Sequence, residues 1–461
     1  MLHFYHASRI HVKIFHFRNF GCKKGGEEMK RRERAGTVMV FLIWWIAGFF
    51  MNGPAMAAEK ITLSFWKHSH GPADVFTKEL IAQFEKENPG IKIEFLVTPW
   101  DQHLQKLMVS MAGGIGPDLF DLRDPDVPFY TGKGLLAPIE PQAFGFKSQA
   151  DLEKEWLPNS FATVAEKGVI YGVPFENNSW SLYINDVHFK EIGLDPAKDY
   201  PKTWEEVGRI GAKLVKYDAN NRMTRAGFAF PLKLGTGWYL LTWCPIFYQL
   251  GGSILNETND KCLVNSPAGV KTLQVWEEMI YKYKTATVDF GIYTDKDPNL
   301  DFAQGSLSMW MIGAWARPTL ESNKEVYSNY RVVPLPRIAA GSKRVVCTNA
   351  IPWHVSSQSK NKRTAWEFVN FASQHQEDWL KRAGYIVTRK GWFNTPTAKS
   401  FPYLDVFLDD MSHGRPRMQS VYFNEIGDSL KRAIQRTIFN KVPPQQSLDT
   451  AAQEIEKAIK K

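Results

Sequence analysis

Between Ile61 and Leu122 the apolar residues switch period four times, and that order constrains the fold more than any other feature. Ile61 to Trp66 (ITLSFW) reads as a short strand. From Gly71-Pro72-Ala73, the residues Phe76, Leu80, Ile81 and Phe84 follow the helical period of 3.6, and Asn88-Pro89-Gly90 ends the run. Ile91, Ile93, Phe95 and Val97 alternate with Lys92 and Glu94, as a strand requires. Leu104, Leu107, Met108 and Met111 then form a second helical stripe, closed by Gly113-Gly114, and a third strand spans Asp118 to Leu122. This β-α-β-α-β order predicts an α/β fold with a parallel sheet covered by helices. Ligands of such sheets bind beyond the carboxyl ends of the strands. Those ends are Trp66-Lys67-His68, Trp100-Asp101-Gln102 and Arg123-Asp124-Pro125-Asp126.

A second α/β region opens near Trp180-Ser181-Leu182-Tyr183-Ile184. Its predicted helices include Thr203 to Val215 and Pro267 to Tyr283. Thr203-Trp204-Glu205-Glu206 is a capping-box pattern, in which Thr203 and Glu206 satisfy each other's orphan N–H groups. Ser266-Pro267 reads as an N-cap followed by Pro in the first turn. Near the C-terminus, Ile426, Leu430, Ile434 and Ile438 repeat every four residues, the stripe of a buried helix face. No low-complexity linker separates the halves, so two lobes joined by short crossovers are expected.

The first 57 residues are expected to be leader and not fold. Lys30-Arg31-Arg32-Glu33-Arg34 is followed by an uncharged, mostly apolar run from Thr37 to Met51, the helix breakers Asn52-Gly53-Pro54, and Ala55-Met56-Ala57, a small-x-small cleavage pattern. That is a secretory signal peptide over 29–57, cut near Ala57. The run is too short for a bilayer span of roughly 20 residues. No Cys follows the cut, so the mature protein is not expected to be a lipoprotein. Met29 stands where a signal peptide would start, so 1–28 reads as an over-extended start. Residues 1–57 hold nine of the 57 Lys and Arg but only three of the 48 Asp and Glu. The rest of the chain is close to neutral, which removes the electrostatic case for nucleic acid. The remaining thiols, Cys244, Cys262 and Cys347, are unevenly spaced and read as buried and free. There is no CxxC, HExxH, P-loop or GxGxxG among residues 58–461.

Several stretches, taken in order, resemble one family. They are Phe84-Glu-Lys-Glu-Asn-Pro-Gly-Ile-Lys-Ile, Met111-Ala-Gly-Gly-Ile-Gly-Pro-Asp-Leu, Tyr130-Thr-Gly-Lys-Gly-Leu-Leu-Ala-Pro, Tyr171-Gly-Val-Pro, Leu182-Tyr-Ile-Asn-Asp and Thr203-Trp-Glu-Glu. The most telling are Phe302-Ala-Gln-Gly-Ser-Leu-Ser-Met and Ile312-Gly-Ala-Trp-Ala. Together they resemble the extracellular solute-binding proteins, family 1, of ABC importers, the maltose-binding-protein-like group. The resemblance implies a two-lobe periplasmic-binding-protein fold with ligand in the cleft and a hinge of several crossovers. Lobe one would be 58–174 with 350–395, and lobe two 177–347 with 400–461. Crossovers would fall near Glu176, Thr348 and Thr397. The chain departs from the family at Ile184, within the usual Leu-Tyr-Tyr-Asn, and at Thr348-Asn349-Ala350, where Gly-Gly is usual.

A neutral sugar needs flat aromatic faces against its C–H surfaces and planar polar groups on its hydroxyls, and a wrong stereoisomer is rejected by leaving buried groups unpaired. Trp315, Trp238 and Tyr422 match the family's aromatic positions, with core packing as the plainer role for each. Asp124 and Asp126, with Arg123 beside them, sit where the resemblance places cleft acids, and loop capping beside Pro125 is their plainer role. Asn178 matches a ligand-contacting position, and Glu176 occupies the first crossover. Lys67, His68 and Asp101 are candidates from the strand ends. His68-x-His70 lacks a third ligand at readable spacing, so no metal is expected, nor any cofactor.

The resemblance thus implies an extracytoplasmic receptor that captures a carbohydrate by hinge closure and delivers it to membrane permease subunits, as a monomer without catalysis. Two alternatives remain. The same fold would hold a phosphorylated polyol if Arg123, Lys67 or Arg317 faced the ligand. A secreted carbohydrate-active enzyme would need an acid pair flanking the sugar, and Asp124 and Asp126 are too close along one loop to do so.

Overall fold

The computed structural model describes residues 60–232, 235–288, 298–321 and 323–460, so the expected leader lies outside the described residues. Among the described residues no helix is long and apolar enough to cross a membrane. Strand β1 (Ile61–His68) pairs in parallel with β2 (Ile91–Thr98), from Ile61 opposite Ile91 to His68 opposite Thr98. It also pairs in parallel with β3 (Leu119–Asp121). The helix Gly71–Glu87 joins β1 to β2, with Pro72 in its first turn, where the missing N–H costs nothing. It buries Phe76, Leu80, Ile81 and Phe84, the predicted stripe. Asn88 stops it by turning its Nδ2 back to the Phe84 carbonyl at 2.9 Å. Trp100 to Gln102, read from sequence as a strand end, instead open the helix Trp100–Ala112, which leads to β3. A small hairpin, β4 (Ala165–Glu166) with β5 (Val169–Ile170), precedes the longer β6 (Val173–Ser179).

The second sheet has the order β11-β7-β10-β9-β8, built from β7 (Ser181–Asn185), β8 (Lys216–Tyr217), β9 (Met223–Phe228), β10 (Leu307–Ile312) and β11 (Tyr330–Val333). Its central strands are buried along their whole length and read as continuous apolar runs, as strands covered on both faces do. The helix Trp204–Leu214 packs on this sheet, and its capping box forms as predicted, with the Glu206 N–H donating to Thr203 Oγ1 at 3.2 Å and the Thr203 N–H donating to Glu206 Oε2 at 3.3 Å. The second predicted cap holds in position, with Ser266 as the N-cap and Pro267 opening the helix, but without a side-chain bond. Ser266 Oγ makes no hydrogen bond, and its helix runs only from Pro267 to Glu277 before a wider turn over Glu278–Lys282. Pro267 supplies the start by its fixed φ alone.

Strand β12 (Val346–Val355) returns to the first sheet. Trp353 lies opposite Asp121 of β3 and Val173 of β6, while Thr348 lies opposite Ser179 of β6 and Pro416 of β13 (Gly414–Pro416). β6 therefore runs antiparallel along one side of β12, and β3 and β13 share the other. The buried apolar residues form two cores. One draws on residues 63–175 and 353–387, the other on 180–347 and 380–455. The paired strands β6 and β12 pass from one core to the other. Cys244, Cys262 and Cys347 are all buried free thiols.

Candidate ligand site

Where β6 and β12 cross, side chains from both cores meet. Trp315 sits in the single 3-10 turn Ala314–Ala316 that follows β10, and it packs against both cores. The turn is fixed by two glycines. A Cβ on Gly313 would meet the Trp315 ring at 2.9 Å and Asn178 Cβ at 3.2 Å, and one on Gly384, whose φ is +68°, would run into the Ala314 carbonyl. Trp238, in the first turn of the helix Thr236–Gln249, presents its ring to Trp315 at 5.8 Å between centroids and 77° between planes. Behind it lies the buried Trp180, 5.1 Å away, whose Nε1 donates to Asn349 Oδ1 at 3.0 Å. Trp238 and Trp315 each remain partly exposed. Tyr422 is the residue before the helix Phe423–Asn440, and its ring pairs with neither tryptophan.

Strand β6 contributes Glu176 and Asn178, both buried. Asn178 Nδ2 donates to Glu176 Oε1 at 3.2 Å, whereas Asn178 Oδ1, fully shielded, accepts nothing among the described residues. Burial pushes the Glu176 carboxyl up to about 7, against the pull of Lys67 and of the Tyr385 hydroxyl. His70 stands between the rings of Tyr385, at 5.2 Å, and Trp315, at 6.0 Å. Its buried Nδ1 has no hydrogen-bond partner among the described residues, and burial lowers this imidazole to about 3. A neutral ring with a spare nitrogen beside a tryptophan face suits a hydroxyl group.

Two strand-end candidates are engaged inside the fold. Lys67 is fully buried, with Nζ donating to the His68 carbonyl at 3.0 Å and to Asp74 Oδ1 at 3.2 Å. His68 Nδ1 meets Asp121 Oδ2 at 2.6 Å, and His103 Nε2 meets Asp121 Oδ1 at 2.8 Å. Although burial alone would raise Asp121, the two imidazoles hold it well below the usual carboxylate range. The side chain of Asp101 lies outside the described residues.

The loop after β3 supplies two ion pairs. Arg123 forks onto Asp126, with Nε at 2.6 Å and Nη2 at 2.7 Å, and reaches Asn424 Oδ1 at 2.9 Å. These groups line a pocket of about 250 Å³ with Leu104, Met108 and Phe423. Asp124 is fully buried against Arg417, whose Nε and Nη2 both donate to the single oxygen Oδ1, Nε at 3.0 Å. Burial pushes the Asp124 carboxyl up, and Arg417 pulls the other way. Arg417, Tyr385 and His70 were not among the sequence candidates. Arg417 follows Gly414-Arg415-Pro416, 293 positions from its partner, and no local pattern announces such a pair.

The site therefore combines half-exposed indole faces with buried polar atoms awaiting donors or acceptors, at the seam between two cores. Known proteins share the fold. Residues 69–378 match the family of bacterial extracellular solute-binding proteins. The maltotriose-binding protein of Pyrococcus abyssi is 24% identical over 352 residues, covering 72% of this chain and 69% of its own. The sn-glycerol-3-phosphate-binding periplasmic protein of Escherichia coli O1:K1 is 22% identical over 422 residues, covering 87% and 92%. Among solved structures, a solute-binding protein of an ABC transporter from Thermotoga lettingae, bound with alpha-D-tagatose, superposes with a TM-score of 0.74 at 23% identity, over 87% of this chain and all of that one. With the family matched across two thirds of the sequence, the chain belongs to the bacterial extracellular solute-binding proteins.

Proposed function

We propose that this chain is the solute-capturing receptor of an ABC importer and that a carbohydrate or polyol binds at the seam between its two cores. The observation that carries the reading is the meeting of Trp315 and Trp238 beside Asn178 Oδ1 and His70 Nδ1, two buried atoms without partners. Indole faces cover the C–H surface of a sugar, and its hydroxyls supply what the two atoms lack. The lobes take the boundaries given above, with β6 and β12 as the hinge. Closure stabilises the complex because ligand contacts from both lobes exist only when they are together. The receptor acts as a monomer, performs no chemistry, and hands its cargo to permease subunits. It works in the periplasm after cleavage near Ala57, without a lipid anchor.

A thermal-shift screen of residues 58–461 against mono- and oligosaccharides, polyols and glycerophosphates tests the reading. A ligand at about 100-fold over its Kd raises stability by roughly 2.7 kcal/mol. A sugar or polyol recovered unmodified, and no longer bound by Trp315→Ala, is the expected result. A probe recovered cleaved would replace the receptor with an enzyme.

A further inference from the structure

Charge is distributed unevenly around the seam, and one residue controls it. Each cation placed there already carries a carboxylate: Lys67 has Asp74, Arg123 has Asp126, and Arg417 has Asp124. Arg417 differs in where its open nitrogen lies. Nε and Nη2 converge on Asp124 Oδ1, while Nη1 donates to none of the described residues and lies where a Cβ on Gly237, next to Trp238, would be 3.9 Å away. Arg417 thus presents Nη1 open beside the backbone at Gly237, one residue before Trp238, while Nε and Nη2 hold an anion.

We propose that Asp124 is a specificity-determining residue that makes the site reject anionic ligands. A guanidinium with a free fork is a bidentate receptor for phosphate or carboxylate. With Asp124 on the Nε–Nη2 edge, the guanidinium's charge is already met by a carboxylate, and the N–H groups left on Nη1 and Nη2 serve neutral hydroxyls. An incoming phosphate would share the guanidinium with a buried carboxylate whose other oxygen, Oδ2, makes no well-formed hydrogen bond and stays a source of repulsion. The proposal rests on the reading of the seam as the ligand site. It accounts for how a scaffold shared with a glycerol-phosphate-binding relative would favour uncharged cargo.

The test is calorimetric titration of residues 58–461 with matched probe pairs: glycerol and sn-glycerol 3-phosphate, ribitol and ribitol 5-phosphate, glucose and glucose 6-phosphate. Asp124→Asn is expected to bind at least one phosphorylated probe about tenfold or more tightly than the unaltered protein does, and Asp124→Glu is expected to restore rejection. A structural role alone would lower all affinities together and give no such gain. A folded Asp124→Asn without that gain overturns the proposal, as does unaltered protein that prefers any phosphorylated probe to its neutral match. If Asp124→Asn loses its cooperative melt, Asp124→Ser takes its place under the same criteria. Trp315→Ala separates the two claims. Neutral-probe binding that ignores Trp315 sinks the site reading, whereas Trp315-dependent binding with no anion gain at position 124 sinks the charge proposal alone.

Discussion

Trp238 and Trp315 stand 5.8 Å apart with their rings at 77°, so they offer two perpendicular walls and not one long platform. A ring seated in that corner touches both. Trp315→Ala and Trp238→Ala are each expected to weaken ligand binding by roughly 2 kcal/mol, about thirtyfold in Kd. Titration calorimetry on the best hit of the screen measures this. Equal affinity in both variants would remove the corner from the site.

Gly384 holds the Trp315 turn from behind. Its φ of +68° disfavours a side chain, and a Cβ there would strike the Ala314 carbonyl. Gly384→Ala is expected to cost roughly 2 kcal/mol or more of stability and to weaken ligand binding as well, since the turn must shift. Urea melts and calorimetry on the same preparation read the two effects. Normal affinity in a destabilised protein would show that Trp315 tolerates the shift.

Glu176 makes stability depend on pH. An acid raised in the folded state stabilises the fold fully below its unfolded value near 4.5, and that contribution is lost as pH rises through about 7. Glu176→Gln lacks the titration. Relative to this variant, the unaltered protein should lose stability between about pH 5 and about pH 8, by at most roughly 3 kcal/mol. Melting both proteins across that range checks it. Asp410, which burial raises to about 6, titrates in both and cancels in the difference.

Thr203 provides a control far from the seam. Thr203→Ala breaks the capping box of the helix Trp204–Leu214 and is expected to cost about 1 kcal/mol. Ligand affinity should be unchanged. Chemical denaturation and titration together check this.

The elements written in local periods were legible. Phe76, Leu80, Ile81 and Phe84 announced their helix, and the alternation from Ile91 to Val97 announced β2, because burial on one face leaves a spacing in the sequence. Ser266-Pro267 marked the start of its helix correctly, although the Ser266 hydroxyl finds no N–H among the described residues. The seam was harder. Lys67 and His68 stand at a strand end, as a ligand group should, yet each is engaged by an aspartate that only tertiary contact supplies. The pairing of Thr348 with Ser179 and of Arg417 with Asp124 joins segments with no shared local signal. Trp315 stood out because it matches an aromatic position of the family the sequence resembles, and Trp238 because a loop of Gly235-Thr236-Gly237 has little reason to place a tryptophan unless something covers it.

The crossing strands also set the order in which the chain can assemble. The first core takes Leu63 to Phe175 from the N-terminal side but needs Trp353, Phe368 and Val387 to be complete. Until β12 arrives, β3 has an open edge where Trp353 to Val355 will pair. A chain growing from its N-terminus therefore carries an unfinished first core through the synthesis of nearly all of the second. A cut near residue 176 would leave the first core without Trp353, Phe368 and Val387. In the exported receptor proposed above, late completion would keep the chain threadable.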